Sequence, residues 1–150
     1  MNEKYDDNVT YSALEISKYI INRCIDLGRP ISNLQLQKIL YFVQFYYVRE
    51  EGKLLFLDKI ESWRYGPAIP SVYYEYINYS SSDIRDKQEE IEITESIKHI
   101  IDPVIDSKSV LSAWELTNDT KNDPIWKIAY MSNTKNIINE ILLMEQWNVS

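Results

Sequence analysis

The run from Ile31 to Tyr47 constrains this chain more than any other, because it marks both where a helix begins and how much that helix has to bury. Ser32-Asn33-Leu34-Gln35 fits a capping box, in which the Ser32 hydroxyl accepts from the Gln35 amide and the Gln35 side chain reaches back to the Ser32 amide. Ile31 and Leu36 stand where a hydrophobic staple closes over that first turn. Beyond it Leu36, Ile39, Leu40, Val43, Tyr46 and Tyr47 recur at helical spacing for about four turns. Nearly every turn therefore offers a large apolar side chain, and this helix is predicted at the centre of the core.

The rest of the chain reads as shorter elements grouped around it. Leu14, Ile16, Tyr19, Ile20, Cys24 and Leu27 predict an earlier helix, capped by Thr10 or Ser12 and closed at Gly28, which tolerates a left-handed backbone. Leu54 to Leu57 and the alternating run Ile60 to Tyr65 predict a short β-hairpin or ribbon around residues 54–65. Pro67 forbids a helix running through it, whereas Pro70 suits the first turn of a new one. That helix would place Ile69, Val72, Tyr73, Tyr76 and Ile77 on one face and turn Tyr74 and Glu75 to the other. Ser80 to Glu90 reads as a solvated connection. Ile97, Ile100, Ile101, Val104 and Ile105 follow a Thr94 cap, with Pro103 limiting their regularity. Further short helices are expected near Ser109 (Leu111, Trp114), after Asp123-Pro124 (Ile125, Trp126, Ile128) and from Ser132 (Ile137, Ile138, Ile141, Leu142). Residues 1–8 are polar and expected to fray. With no repeat or linker in its 150 residues, the chain is predicted to be one compact, mainly α (α+β), multi-helix domain over 1–150.

Chemistry is harder to find. The only histidine is His99 and the only cysteine Cys24, too few for a zinc site or a Cys–His nucleophile. No Asp-rich calcium loop appears, and the three glycines are scattered, so no phosphate cradle exists. Cys24 lies in an apolar helical pattern and reads as a buried thiol. No catalytic residue, metal or cofactor is therefore expected. The net charge of −7 disfavours binding to nucleic acid or an anionic membrane, and Lys53, Lys59 and Arg64 are isolated among acids. With no signal-like start and no long apolar run, the chain reads as cytoplasmic. Aromatic residues reach 13%, twelve of them Tyr and four Trp, a composition that suits protein interfaces as well as cores. They gather at Trp63-Arg64-Tyr65-Gly66-Pro67 and Tyr73-Tyr74. Arg64 and Tyr74 are expected to face outward and hold a partner. Trp63 and Tyr65 are read either as interface residues or as anchors of the turn. A helix-turn-helix over 12–47 is a competing reading; its second helix would present Gln35, Gln37, Lys38 and Gln44 with little basic support.

Three of these segments together resemble the SocA-like antitoxin family, or Panacea domain, earlier grouped as phage-associated proteins of unknown function. The family pattern is a Leu-Gln-Lys-Leu-Leu-Tyr-like helix, a Trp-x-Tyr-Gly-Pro turn, and a Leu-Thr-His element before Pro-Trp. Here the first is Leu36-Gln37-Lys38-Ile39-Leu40-Tyr41 and the second Trp63-Arg64-Tyr65-Gly66-Pro67. The third is Leu116-Thr117-Asn118 with Pro124-Ile125-Trp126, where Asn118 replaces the usual His. The resemblance spans roughly residues 10–130. It implies a mostly helical domain acting as the antitoxin of a bacterial or prophage toxin–antitoxin pair, binding a cognate protein toxin directly. It also implies one alternative, an adaptor delivering its toxin to a cytosolic protease. Independently of the resemblance, a prophage-encoded regulator or inhibitor binding nucleic acid or a host protein stays open as a competing reading. Self-association stays open.

Overall fold

The computed structural model describes residues 10–132 and 138–149; the expected fraying of residues 1–8 and the place of Ile137 lie outside them. Seven α-helices and one two-stranded sheet are found among the described residues, so the fold is mainly α. Helix α1 spans Ala13–Asp26. Ser12, not Thr10, is its N-cap, in a capping box with Glu15. It ends in a Schellman turn in which Gly28, at φ 76°, donates to Ile25 and Arg29 donates to Cys24.

Helix α2, Asn33–Glu51, begins with the expected capping box of Ser32 and Gln35. It is buried on far more than one stripe. Gln37, Lys38, Tyr41, Phe42 and Gln44 join Leu36, Ile39, Leu40 and Val43 inside, while Tyr46 faces out. An amphipathic pattern requires only one covered face. Here α1, the β-hairpin and the later helices cover α2 from several sides, which is why its polar side chains are enclosed as well.

The hairpin lies further along the chain than expected. Strand β1 is Glu61–Trp63 and β2 is Gly66–Ala68, antiparallel, with Glu61 opposite Ala68 and Trp63 opposite Gly66. Residues 54–57 instead approach the start of α1, where the Tyr11 amide donates to the Leu55 carbonyl at 3.3 Å. The buried Gln44 amide satisfies that segment from α2, bonding the backbone of both Leu55 and Phe56. Helix α3, Pro70–Tyr73, is a single turn followed by a 3-10 turn at Ile77–Tyr79, so Ile77 is exposed and does not join the face predicted for it.

Helix α4, Glu95–Lys108, carries Ile97, Ile101 and Ile105 into the core and runs continuously past the exposed Pro103. Arg23 of α1 clamps it through Asp106 at 2.7 Å and Asp102 at 3.5 Å. Helix α5, Ala113–Lys121, starts at a Ser112–Glu115 capping box rather than at Ser109. Its Trp114 is 74% exposed, not a core residue; Leu116 and Thr120 are the buried positions. Helix α6, Pro124–Met131, has the Asp123 cap and N1 proline expected of it. Ser132 closes α6 instead of opening a helix, and α7 spans Ile138–Val149 with Ile138 and Leu142 buried.

Candidate functional site: an aromatic corner on a buried clamp

Two residues of α2, four apart and therefore on one face, begin the construction of the site. Asn33 Nδ2 donates to the Tyr73 carbonyl at 3.0 Å, and Gln37 Oε1 accepts from the Ile69 amide at 2.8 Å. Gln37 Nε2 in turn donates to Asn33 Oδ1 at 3.0 Å. Both ends of the short α3 turn are thereby tied to the central helix. One residue on, the Lys38 ammonium donates to the Pro67 carbonyl at 2.8 Å. Lys38 is only 2% exposed, and burial pushes its amine down to about 7 because the charged form loses its hydration.

One turn further along α2, Tyr41 donates to Asp123 Oδ2 at 2.7 Å, while the other Asp123 oxygen accepts from the Ile125 amide that starts α6. Burial and the neighbouring carboxylate raise the Tyr41 phenol well above its ordinary value. From α6, Trp126 Nε1 returns to the hairpin and donates to the Trp63 carbonyl at 3.1 Å. Gly66 seals the arrangement. It holds φ 105°, and a Cβ there would lie 2.7 Å from Thr120 Oγ1 and 3.2 Å from Lys38 Cε. Arg64 and Tyr65, which form the hairpin tip, keep negative φ, so the left-handed residue the turn needs is this glycine.

Gln37, Lys38, Tyr41, Gly66, Pro67 and Trp126 are thus buried in contacts joining α2, the hairpin and α6, while Leu36 and Leu40 of the same motif are buried in the apolar core. Asn118 sits half-buried on α5, between Leu116 and Thr120. Sequence reading found the motif residues but not their partners Asn33, Tyr73 and Asp123; the four-residue spacing of Asn33 and Gln37 was the one signal pointing to the first of these.

The clamp's outer side presents the candidate surface. Tyr74 is 61% and Tyr65 60% exposed, Arg64 is exposed, and Trp63 and Tyr73 are half-buried. Tyr65 does not anchor the turn: it stands away from the core, with the Arg64 guanidinium 5.6 Å from its ring centre. Trp63, Tyr73 and Tyr74 pack against one another at centroid distances of 5.1, 5.3 and 6.4 Å. The Trp63 indole donates to Glu61 Oε1 at 2.7 Å. Behind them Trp126 stacks on Tyr130 at 4.7 Å. The side chains a helix-turn-helix would use lie elsewhere: Gln37, Lys38 and Gln44 are inside, and Gln35 donates to the Leu111 carbonyl.

Apart from this corner, a cleft of about 390 Å³ opens between α1 and residues 87–92. Its charges are largely paired, Arg23 with Asp106 and Lys87 with Asp26. Among the described residues no three His, Cys, Asp or Glu side chains gather where they could hold a metal ion. Nor is any described helix long and apolar enough to cross a membrane.

Comparison with known proteins matches residues 36–127 to the family described as "Antitoxin SocA-like, Panacea domain". That stretch contains every element of the clamp from Leu36 to Trp126. The chain is also 34% identical over 67 residues to the "Antitoxin SocA" of Caulobacter vibrioides (strain NA1000 / CB15N), covering 45% of this chain and 36% of that protein. It therefore spans about a third of the length of this curated relative. No solved structure matches it significantly.

Proposed function

Since the chain belongs to the SocA-like, Panacea-domain antitoxin family, we propose that it is the antitoxin of a bacterial or prophage type II toxin–antitoxin pair and neutralises a protein toxin by direct contact in the cytoplasm. Its work on this reading is binding rather than catalysis, and its partner is a protein rather than a membrane or nucleic acid.

The observation that carries the proposal is the corner of half-buried Trp63 and exposed Arg64, Tyr65 and Tyr74, aromatic and guanidinium groups on a backbone that the buried clamp ties down by hydrogen bonds. Binding energy in protein interfaces concentrates in Trp, Tyr and Arg, and a pre-organised surface loses little entropy when it is covered. The structural logic is a division of labour. The motif positions bonded inward preserve the corner's shape, while the side chains pointing outward are free to suit a particular toxin.

The test is to express the neighbouring reading frame alone and together with this chain. Toxicity alone, rescue on co-expression and a co-purifying complex are expected. Within that complex, the double substitution Arg64→Ala, Tyr74→Ala is expected to weaken binding by about tenfold or more in calorimetry, with unfolding unchanged. Unchanged affinity would remove these two residues from the interface. The same pair distinguishes masking from delivery to a protease: a toxin half-life in cells that lengthens when the chain is absent would indicate delivery.

A further inference from the structure

Among the described residues, five aromatic rings are already faced by a cation of the same chain: Phe42 by Lys108, Phe45 by Arg49, Tyr19 by Lys98, Trp126 by Lys121 and Tyr65 by Arg64. The group formed by Trp63, Tyr73 and Tyr74 has no such partner among these contacts, although Tyr74 is one of its most exposed rings. The nearest guanidinium in sequence, Arg64, is turned onto Tyr65.

The charged side chains between residues 58 and 75 are Asp58, Lys59, Glu61, Arg64 and Glu75. Asp58 is committed to the Ala13 amide and the Ser71 hydroxyl, and Arg64 to Tyr65. Glu61 is held against the cluster by the Trp63 indole, leaving its second oxygen outside that bond. Glu75 follows Tyr74 directly and is exposed. Lys59 lines a shallow groove of about 250 Å³ with Asp58, Glu61, Pro70 and Ser71.

Electron-rich rings beside a fixed carboxylate, on a chain of net charge −7, attract a cation both through the ring quadrupole and through ordinary Coulomb force. From this juxtaposition we infer that the corner accepts an arginine or lysine side chain presented by a basic segment of the protein partner, seated on Tyr74 and Trp63 and paired with Glu61. The inference rests on the protein-contact reading above and names the chemistry of the contact. Arginine is the better occupant, since a planar guanidinium can stack on a ring while its N–H groups reach the carboxylate.

The probe is a short peptide, acetyl-Gly-Arg-Gly-amide, titrated into the full chain while the Trp63 indole N–H resonance is followed by NMR. A saturable shift is expected, about five- to thirtyfold weaker for the Gln-centred peptide, largely lost in Tyr74→Ala and weakened in Glu61→Gln. Equal shifts from the Arg and Gln peptides, or no saturation with either, would overturn the inference. The outcome separates from the broader reading. If a toxin complex depends on Tyr74 yet tolerates neutral replacements of the toxin's basic side chains, cation capture is wrong while toxin contact stands. If the Arg peptide binds but the toxin complex ignores Tyr74, the corner captures cations and is not the toxin interface.

Discussion

Lys38 is the residue whose surroundings differ most from what its type suggests, an ammonium enclosed beside the Pro67 carbonyl and ion-paired with no carboxylate among the described residues. Its folded value of about 7 lies below the roughly 10.4 of an unfolded lysine. Between these values the unfolded chain binds the extra proton, so stability rises with pH over that window and the contribution is lost as pH falls toward 7. The expected gain between pH 7 and about 9.5 is of the order of 3 kcal/mol. Above that range Tyr41, which keeps its proton more firmly in the folded state, works in the opposite sense. Urea unfolding across this range should show the slope in the parent chain and a flatter profile in Lys38→Met. Gly66 is the complementary case, where the absence of a side chain matters. Gly66→Ala puts a methyl 2.7 Å from Thr120 Oγ1 at a φ few L residues adopt, and should cost roughly 1–3 kcal/mol in the same assay.

Among the elements, α6 shows how a short helix is kept in place. Eight residues have little helical stability of their own in water, and α6 relies on the Asp123 cap, the Pro124 start and the burial of Ile125, Trp126 and Ala129. Asp123 caps the helix with one oxygen and holds Tyr41 with the other. Asp123→Ala should therefore destabilise the fold by about 2–3 kcal/mol, more than an ordinary cap. Tyr41→Phe, which leaves the cap intact, should cost less. Hydrogen exchange would check the localisation, with α6 amides losing protection first in Asp123→Ala. The hairpin is a similar case. Three residue pairs make a marginal ribbon when isolated, and its tip is ordered by Lys38 and Trp126 reaching the Pro67 and Trp63 carbonyls.

For the molecule as a whole, the division between inside and outside follows the proposed role. The matched family region, residues 36–127, contains the corner and the clamp residues from Gln37 to Trp126, with Asn33 just outside it, whereas exposed Arg64, Tyr65 and Tyr74 lend no side chain to the inner hydrogen bonds. Arg64→Ala, Tyr74→Ala should change the free energy of unfolding little, by about 0.5 kcal/mol, while weakening the complex. An acidic chain that meets a basic segment should also associate more slowly as salt rises, because screening shortens the range of attraction. Stopped-flow association rates at low and high salt would show this, with dissociation changing less.

How much of this was legible in the sequence varies with how local the cause is. Caps, staples and terminators act within a few residues, so Ser32–Gln35, Gly28 and Asp123-Pro124 marked helix ends that the structure bears out. The mainly helical class and the central position of α2 could be read for the same reason, since apolar periodicity records which face must be covered. That record does not say how many neighbours arrive. Gln37, Lys38 and Gln44 carry polar side chains, and only the packing of the hairpin and the later helices around α2 enclosed them and gave them backbone partners. The start of α5 at Ser112 rather than Ser109 is itself a local Ser112–Glu115 capping box, whereas strand pairing moved to 61–68 because register depends on contacts made across the fold. By itself the sequence determined the helices, their caps and the motif; the tertiary structure decided which polar residues became the clamp and which aromatics were left exposed outside it. The physical reason is that burying a polar group requires a hydrogen-bond partner, and that partner can lie anywhere along the chain.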